Sequence, residues 1–77
     1  MSMEQIRKYR GVPAKRGMRV FFTGRGHDEP GRIKSARGGY LMIELDGDGF
    51  ACSYHPTWKL RYLDEGGKVI FDSEAKQ

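Results

Sequence analysis

Glycine clusters are the feature of this sequence that most restricts its fold. Eleven of the 77 residues are glycine, about twice the ~7% that is usual in proteins. Most of them fall in four pairs, which are Gly24 and Gly26, Gly38 and Gly39, Gly47 and Gly49, and Gly66 and Gly67. The stretches between these pairs are rich in β-branched, aromatic and aliphatic residues. Because glycine favours turns and interrupts regular structure, this spacing predicts short strands joined by turns.

Alternating apolar residues within these stretches identify individual strands and their inner faces. In an extended chain Val20 and Phe22 share one face, so both are predicted to point into the core. The inward residues predicted in this way are Met18, Val20, Phe22, Ile33, Leu41, Ile43 and Leu45. Strands are predicted at residues 18–23, 31–36, 40–46, 50–54 and 59–63, with a further edge strand at 68–71.

The connections between these strands also have distinct sequences. Residues 24–30 predict a long first loop and residues 35–39 a second loop. Residues 46–49 read Asp-Gly-Asp-Gly, which predicts a tight hairpin turn because both residue types accept positive φ. Pro56 lacks a backbone donor, so the strand before it must stop, and residues 55–58 fit one turn of 3₁₀ helix.

The two ends of the chain are predicted to differ from the middle. Ser2 and Gln5 have the spacing of a capping box, which predicts a short helix through Tyr9 that Pro13 ends. A chain of this length allows one domain with a small core. We therefore expect an N-terminal arm or short helix at residues 1–14, a β-barrel at 15–72 and a frayed tail at 73–77.

This order of strands and loops resembles that of a small SH3-like barrel. Residues 15–20 (Lys-Arg-Gly-Met-Arg-Val), Gly24 and residues 31–33 (Gly-Arg-Ile) also resemble the KOW motif of ribosomal proteins and NusG-type transcription factors. The chain as a whole is similar to small bacterial and phage proteins without an assigned activity. The resemblance implies an all-β fold, a small SH3-like barrel of about five short antiparallel strands. It also implies that RNA contacts the first strand-loop-strand, at Arg19, Arg25, Arg32 and Lys34, with Arg37 in the next loop.

Charge is distributed unevenly along the chain. Residues 1–37 carry ten basic and three acidic side chains, whereas residues 38–77 carry four basic and seven acidic ones, for a net charge of +4. A basic surface attracts polyanions, and exposed aromatic rings such as Phe21 and Tyr40 can stack on bases. The sequence therefore predicts a non-catalytic module that binds RNA or DNA through a basic face. The alternatives are a solvated charged surface without a ligand, and a module that binds another protein or a second copy of itself.

Residues 54–58 (Tyr-His-Pro-Thr-Trp) form the densest aromatic segment. Tyr54, His55 and Trp58 are candidates for an interaction groove of the kind that SH3 domains use for extended peptides. The alternative prediction is that Trp58 is buried and closes the barrel.

Other kinds of site have little support in the sequence. Cys52 and His55 are only two of the four ligands that structural zinc prefers. Ser53 and His55 lack an acidic partner and a nucleophile elbow. We therefore expect no enzyme activity, no metal and no cofactor. The absence of a long apolar run or an apolar N-terminal segment predicts a cytoplasmic protein without a membrane partner.

Overall fold

A computed structural model describes residues 2–74 and shows one short helix followed by six strands. The elements are α1 (Met3–Arg10), β1 (Arg19–Phe22), β2 (Glu29–Arg37), β3 (Tyr40–Leu45), β4 (Ala51–Tyr54), β5 (Leu60–Leu63) and β6 (Val69–Asp72). The strands form one antiparallel sheet in the order β4-β3-β2-β1-β5-β6. The predicted all-β class with an N-terminal helix is confirmed, and the further edge strand is present as β6. The resemblance to SH3-like barrels stays a prediction.

Local sequence signals set both ends of α1. The Ser2 hydroxyl accepts a hydrogen bond from the Gln5 amide at 3.2 Å, and Gln5 Oε1 accepts one from the Ser2 amide at 2.9 Å. The predicted capping box is therefore confirmed. At the other end, Gly11 has φ +66° and donates its amide to the Arg7 carbonyl at 3.0 Å. Gly11, and not Pro13 as predicted, ends the helix, because glycine adopts this left-handed conformation without steric cost.

The core lies between the inner face of the sheet and the N-terminal segment. The predicted inward residues of the strands are buried, which are Val20, Phe22, Ile33, Leu41, Ile43 and Leu45, and Met18 packs against them half-buried. Ile6, Val12 and Ala14 add to this core from α1 and the segment after it. Tyr62 is also fully buried, and its hydroxyl donates a hydrogen bond to the Pro56 carbonyl. Burial raises the pKa of this phenol.

β2 is longer than the sequence indicates. It begins at Glu29 and continues through Pro30, so the first loop covers residues 23–28 instead of 24–30. Its pairing with β3 shifts between Ile33 and Ser35, which leaves Lys34 as an extra residue in a β-bulge. β2 also runs through Arg37, so the second loop shrinks to a turn at Gly38 and Gly39.

The loops after β3 and after β4 differ in detail from the prediction. The connection between β3 and β4 covers residues 46–50, so the predicted tight hairpin at 46–49 is one residue longer and exposes Phe50. Residues 55–58 form one hydrogen-bonded turn, in which the Trp58 amide donates to the His55 carbonyl at 3.2 Å. The described part of the chain contains no helix long and apolar enough to cross a bilayer.

Ser73 lies where the predicted tail begins. Its amide donates to the Leu60 carbonyl at 2.9 Å, and its hydroxyl accepts from the Leu60 amide at 2.9 Å. These bonds hold Ser73 against β5. The next residue of that tail, Glu74, donates its amide to Asp72 Oδ1 at 3.0 Å, and residues 75–77 lie outside the described residues.

Candidate nucleic-acid interface

Three of the five cations predicted to contact nucleic acid form ion pairs within the chain. Arg19 donates two hydrogen bonds to the Asp46 carboxylate, at 3.0 and 2.8 Å. Arg25 lies 3.4 Å from the Glu29 carboxylate, and Lys34 lies 3.7 Å from that of Glu44. A phosphate group would have to compete with these carboxylates for all three side chains.

The Arg19–Asp46 pair has the strongest geometry of the three. Its two parallel N–H···O bonds match the fork of a guanidinium to a carboxylate. Hydrogen bonding to Arg19 lowers the pKa of Asp46, and the same bonds raise the pKa of Arg19. The main contact of Arg19 therefore links β1 to Asp46, the residue that follows β3.

The ion pairs join the basic half of the sequence to the acidic half. Arg19 with Asp46 and Lys34 with Glu44 link the two halves in one direction. Arg61 with Asp28 at 3.0 Å links them in the other direction. These three pairs neutralise part of the charge of each half with side chains of the other half.

Arg32 and Arg37 lie on β2 without an ion pair among residues 2–74. Arg32 is exposed and donates from Nη1 to the Gly17 carbonyl at 3.0 Å. Arg37 pairs in register with Tyr40, next to the turn between β2 and β3. Neither arginine has a carboxylate oxygen within 4.0 Å among the described residues, although the charge of Arg32 also helps to lower the pKa of Asp46, after the larger effect of Arg19.

The two predicted stacking residues differ in exposure. Phe21 is half-buried on β1 and pairs in register with Pro30 and Arg61. Tyr40 is 47% exposed, and its ring meets that of His55 edge-on at a centroid distance of 5.9 Å. Of the two, Tyr40 offers the larger accessible ring.

Sequence reasoning missed the cations that precede β1. Within residues 2–74 no ion pair involves the basic side chains of α1 and the following segment, which are Arg7, Lys8, Arg10, Lys15 and Arg16. Arg7 donates to the Ala14 carbonyl at 2.8 Å, and the others are exposed. The density of basic residues between positions 7 and 19, with Glu4 as the one acidic residue before them, was the signal for this group.

An open cleft of about 530 Å³ brings part of this group together with Arg32. We call it the charged cleft. Its lining contains three kinds of side chain. We call Lys15, Arg16, Arg19 and Arg32 its cationic wall, Asp64 and Glu65, in the connection between β5 and β6, its acidic wall, and Met18, Leu63 and Ile70 its floor. Because Arg19 is bound to Asp46, the cations of this wall that have no carboxylate partner within residues 2–74 are Lys15, Arg16 and Arg32.

Hydrogen bonds that involve the backbone hold both walls of the charged cleft in place. The Gly17 amide donates to the Ile33 carbonyl at 2.7 Å, and the Ile33 amide donates to the Met18 carbonyl at 2.9 Å. On the other wall, Asp64 Oδ1 accepts from the amides of Gly66 and Lys68, each at 2.9 Å. The charged side chains therefore project from a fixed backbone.

The predicted interaction groove lies at the other end of β1. Phe22 packs against Tyr54 at a centroid distance of 4.9 Å and against Trp58 at 6.3 Å. Trp58 is 54% exposed, so the alternative prediction that it is buried and closes the barrel is wrong. Burial raises the pKa of the Tyr54 phenol. His55 lies beside this cluster, where its Nδ1 accepts from the Thr57 amide at 3.2 Å.

The described residues contain no group of three or more side chains with metal-ligating geometry. Cys52 is half-buried with a free thiol, and His27 lies 3.2 Å from the Glu29 carboxylate. Cys52 and His55 thus have no third ligand among residues 2–74.

Comparison of the chain with models of protein families, with curated proteins and with solved structures finds no match in any of the three. A function for this chain therefore has to be argued from its own geometry.

Proposed function

We propose that the chain is a non-catalytic module that binds nucleic acid, with its phosphates on the cationic wall of the charged cleft. One observation carries this proposal: Lys15, Arg16 and Arg32 line one cleft and make no ion pair within residues 2–74. Phosphate neutralisation by lysine and arginine supplies most of the non-specific affinity for nucleic acid. The predicted cytoplasmic location is part of the proposal, since cellular RNA is accessible there.

This proposal moves the binding surface away from Arg25 and Lys34. Each of these side chains already has a carboxylate within 4 Å. The free energy of phosphate binding would therefore be reduced by the cost of breaking that ion pair. Lys15 and Arg16 have no such competitor among the described residues. Lys8 and Arg10 on the last turn of α1 are also exposed and make no ion pair within residues 2–74.

The experiment compares two double variants that remove the same charge from different places. Lys15→Gln with Arg16→Gln removes two charges from the cationic wall. Arg25→Gln with Lys34→Gln removes two charges from cations that already pair with carboxylates, which we call the ion-paired set. Fluorescence anisotropy with a short single-stranded RNA of mixed sequence, and with the same sequence as DNA, measures binding across a salt series. We expect the cleft variant to lower the slope of log K against log salt by about 1.4, since each lost contact removes about 0.7 for a single strand.

The matched variant should keep most of the wild-type slope. Equal losses in the two double variants would mean that only net charge matters and that the cleft has no special role. A wild-type affinity that does not change with salt would remove phosphate contact, and with it the proposed function.

Self-association is a second candidate function, because the sheet leaves one edge of β6 open. Within residues 2–74 β6 pairs with β5 alone, and Val69 and Ile70 on it are 41% and 49% exposed. Unpaired edges favour strand addition by a second copy, although Lys68 and the bulge in β6 oppose it. Sedimentation equilibrium tests this candidate: a dimer that dissociates in Val69→Lys supports it, and a monomer at the highest concentration reached excludes it.

A further inference from the structure

The floor of the charged cleft includes an exposed apolar side chain, that of Ile70, at a bulge in the pairing of β5 with β6. β5 and β6 pair Tyr62 with Phe71 and Leu63 with Val69, so the register passes over Ile70. A bulge of this kind redirects a side chain, and bulges are frequent beside binding sites. Ile70 is 49% exposed and lines the cleft next to Leu63. The floor therefore offers an apolar surface on which a planar ring can lie.

The two walls of the cleft would bind opposite kinds of group in a ligand. Lys15 and Arg16 attract an anion on one side. On the other side, Asp64 uses Oδ1 for two backbone amides, whereas Glu65 is exposed and accepts no hydrogen bond within residues 2–74. A matching ligand carries a negative group, a planar apolar body and an edge of hydrogen-bond donors.

We propose that the charged cleft binds one guanine nucleotide of a single-stranded nucleic acid, with the base on Ile70 and its donor edge on Glu65. This inference rests on the proposed function and adds a base preference to it. The phosphate lies on the wall of Lys15, Arg16 and Arg32. The cleft volume of about 530 Å³ is within the range of about 300–1,000 Å³ that is usual for small-ligand pockets.

Guanine fits this cleft better than the other bases because of its Watson–Crick edge. Its N1–H and its exocyclic amine lie side by side and match the two oxygens of one carboxylate, in the way that an arginine does. Adenine and cytosine present one amine beside an acceptor nitrogen, and uracil presents one N–H between two carbonyls. A duplex already uses the same edge for base pairing, so the cleft selects a single strand.

Three short RNAs of equal length test the base preference: one of uridine alone, one with a single central guanosine, and one with inosine at that position. Inosine keeps N1–H and lacks the exocyclic amine. We expect the guanosine RNA to bind roughly tenfold more tightly than the uridine RNA, as a bidentate base contact usually gives. The inosine RNA should lose most of that gain.

Two variants with the same change in charge test whether Glu65 is the residue responsible for the guanosine preference. Glu65→Gln should bring the guanosine RNA to within about twofold of the uridine RNA, whereas Glu4→Gln, on the first turn of α1, should keep the tenfold preference. A preference that survives in Glu65→Gln would overturn the assignment. Equal, salt-dependent binding of all three RNAs would overturn base reading and leave phosphate binding intact. Binding of none of them would overturn both proposals.

Discussion

Arg19 shows how one neighbouring side chain decides whether a cation can serve a ligand. Its place in the motif-like segment predicts contact with phosphate, yet both of its terminal nitrogens donate to Asp46. A phosphate would have to displace a carboxylate with ideal geometry. The sequence alone could not reveal this pair, because the two residues are brought together by the pairing of β1 with β2 and of β2 with β3.

The same pair predicts how stability depends on pH. Hydrogen bonding to Arg19 lowers the pKa of Asp46, so the folded chain releases this proton more readily than the unfolded chain. The pair therefore stabilises the fold above the usual Asp pKa of about 3.9, and this contribution is lost as the pH falls through the lower folded pKa. In Asp46→Asn, we expect the melting temperature to fall less steeply than wild type below about pH 4.

Thermal melts followed by circular dichroism between about pH 5 and pH 2 measure this difference. Asp48→Asn is the control, because Asp48 makes no ion pair within residues 2–74. Identical pH profiles for Asp46→Asn and wild type would contradict the prediction.

Tyr62 carries a second prediction at the scale of one residue. Its hydroxyl donates to the buried Pro56 carbonyl, and the change Tyr62→Phe leaves that carbonyl without a donor. The cost of such a buried unsatisfied group is about 1–3 kcal/mol. For a chain of this size, we expect the melting temperature to fall by about 4–8 °C for each kcal/mol. Tyr40→Phe, at an exposed ring, should change the stability by less than about 0.5 kcal/mol.

The inward residues of the strands could be predicted from the sequence, whereas the position of Trp58 could not. Alternation is a local property, so Ile43 and its neighbours were assigned correctly from the pattern alone. The exposure of Trp58 depends on what already covers Phe22. Gly24 lies so close to that ring that an added Cβ would clash with it, and Tyr54 packs against it. Trp58 therefore packs at the outside of the cluster.

At the scale of elements, Gly11 determines where α1 stops and where the segment that leads to β1 begins. Its φ of +66° is strained for any residue with a Cβ, although an added Cβ would meet no atom within 4 Å. We therefore expect Gly11→Ala to destabilise the fold by about 1 kcal/mol through backbone strain alone. Urea unfolding measures the loss.

Gly47→Ala provides the matched control in a loop. An added Cβ at Gly47 also meets nothing within 4 Å, and its φ lies outside the left-handed region. The change should be neutral or slightly stabilising, because alanine reduces the freedom of the unfolded chain. A loss at Gly47 equal to that at Gly11 would show that φ is not the cause.

The strands could be predicted from the sequence, but their exact ends and their bulges could not. β2 extends back to Glu29 because β1 provides partners for Glu29 and Pro30. Proline is tolerated in edge strands and at strand starts, but it does not favour strand formation, so Pro30 was predicted to lie in the loop. The bulges at Lys34 and Ile70 arise from pairing with a neighbouring strand. Since pairing partners are distant in sequence, no local pattern predicts them.

For the whole molecule, the ion pairs between the two halves decide which cations remain for a ligand. Lys34 lies 3.7 Å from Glu44, and our proposal attributes its small role in binding to this neighbour. Glu44→Gln would release Lys34 while raising the net charge by one. Asp48→Asn raises the net charge by the same amount without releasing a cation, so the two variants separate local release from long-range attraction.

We expect both variants to bind single-stranded RNA more tightly than wild type, because both are more basic. Only Glu44→Gln should steepen the slope of log K against log salt by about 0.7, the value for one additional phosphate contact. A salt series followed by fluorescence anisotropy measures both slopes. Equal slopes in the two variants would show that pairing with Glu44 does not withhold Lys34. In that case the division between the charged cleft and the ion-paired set would lose its physical basis.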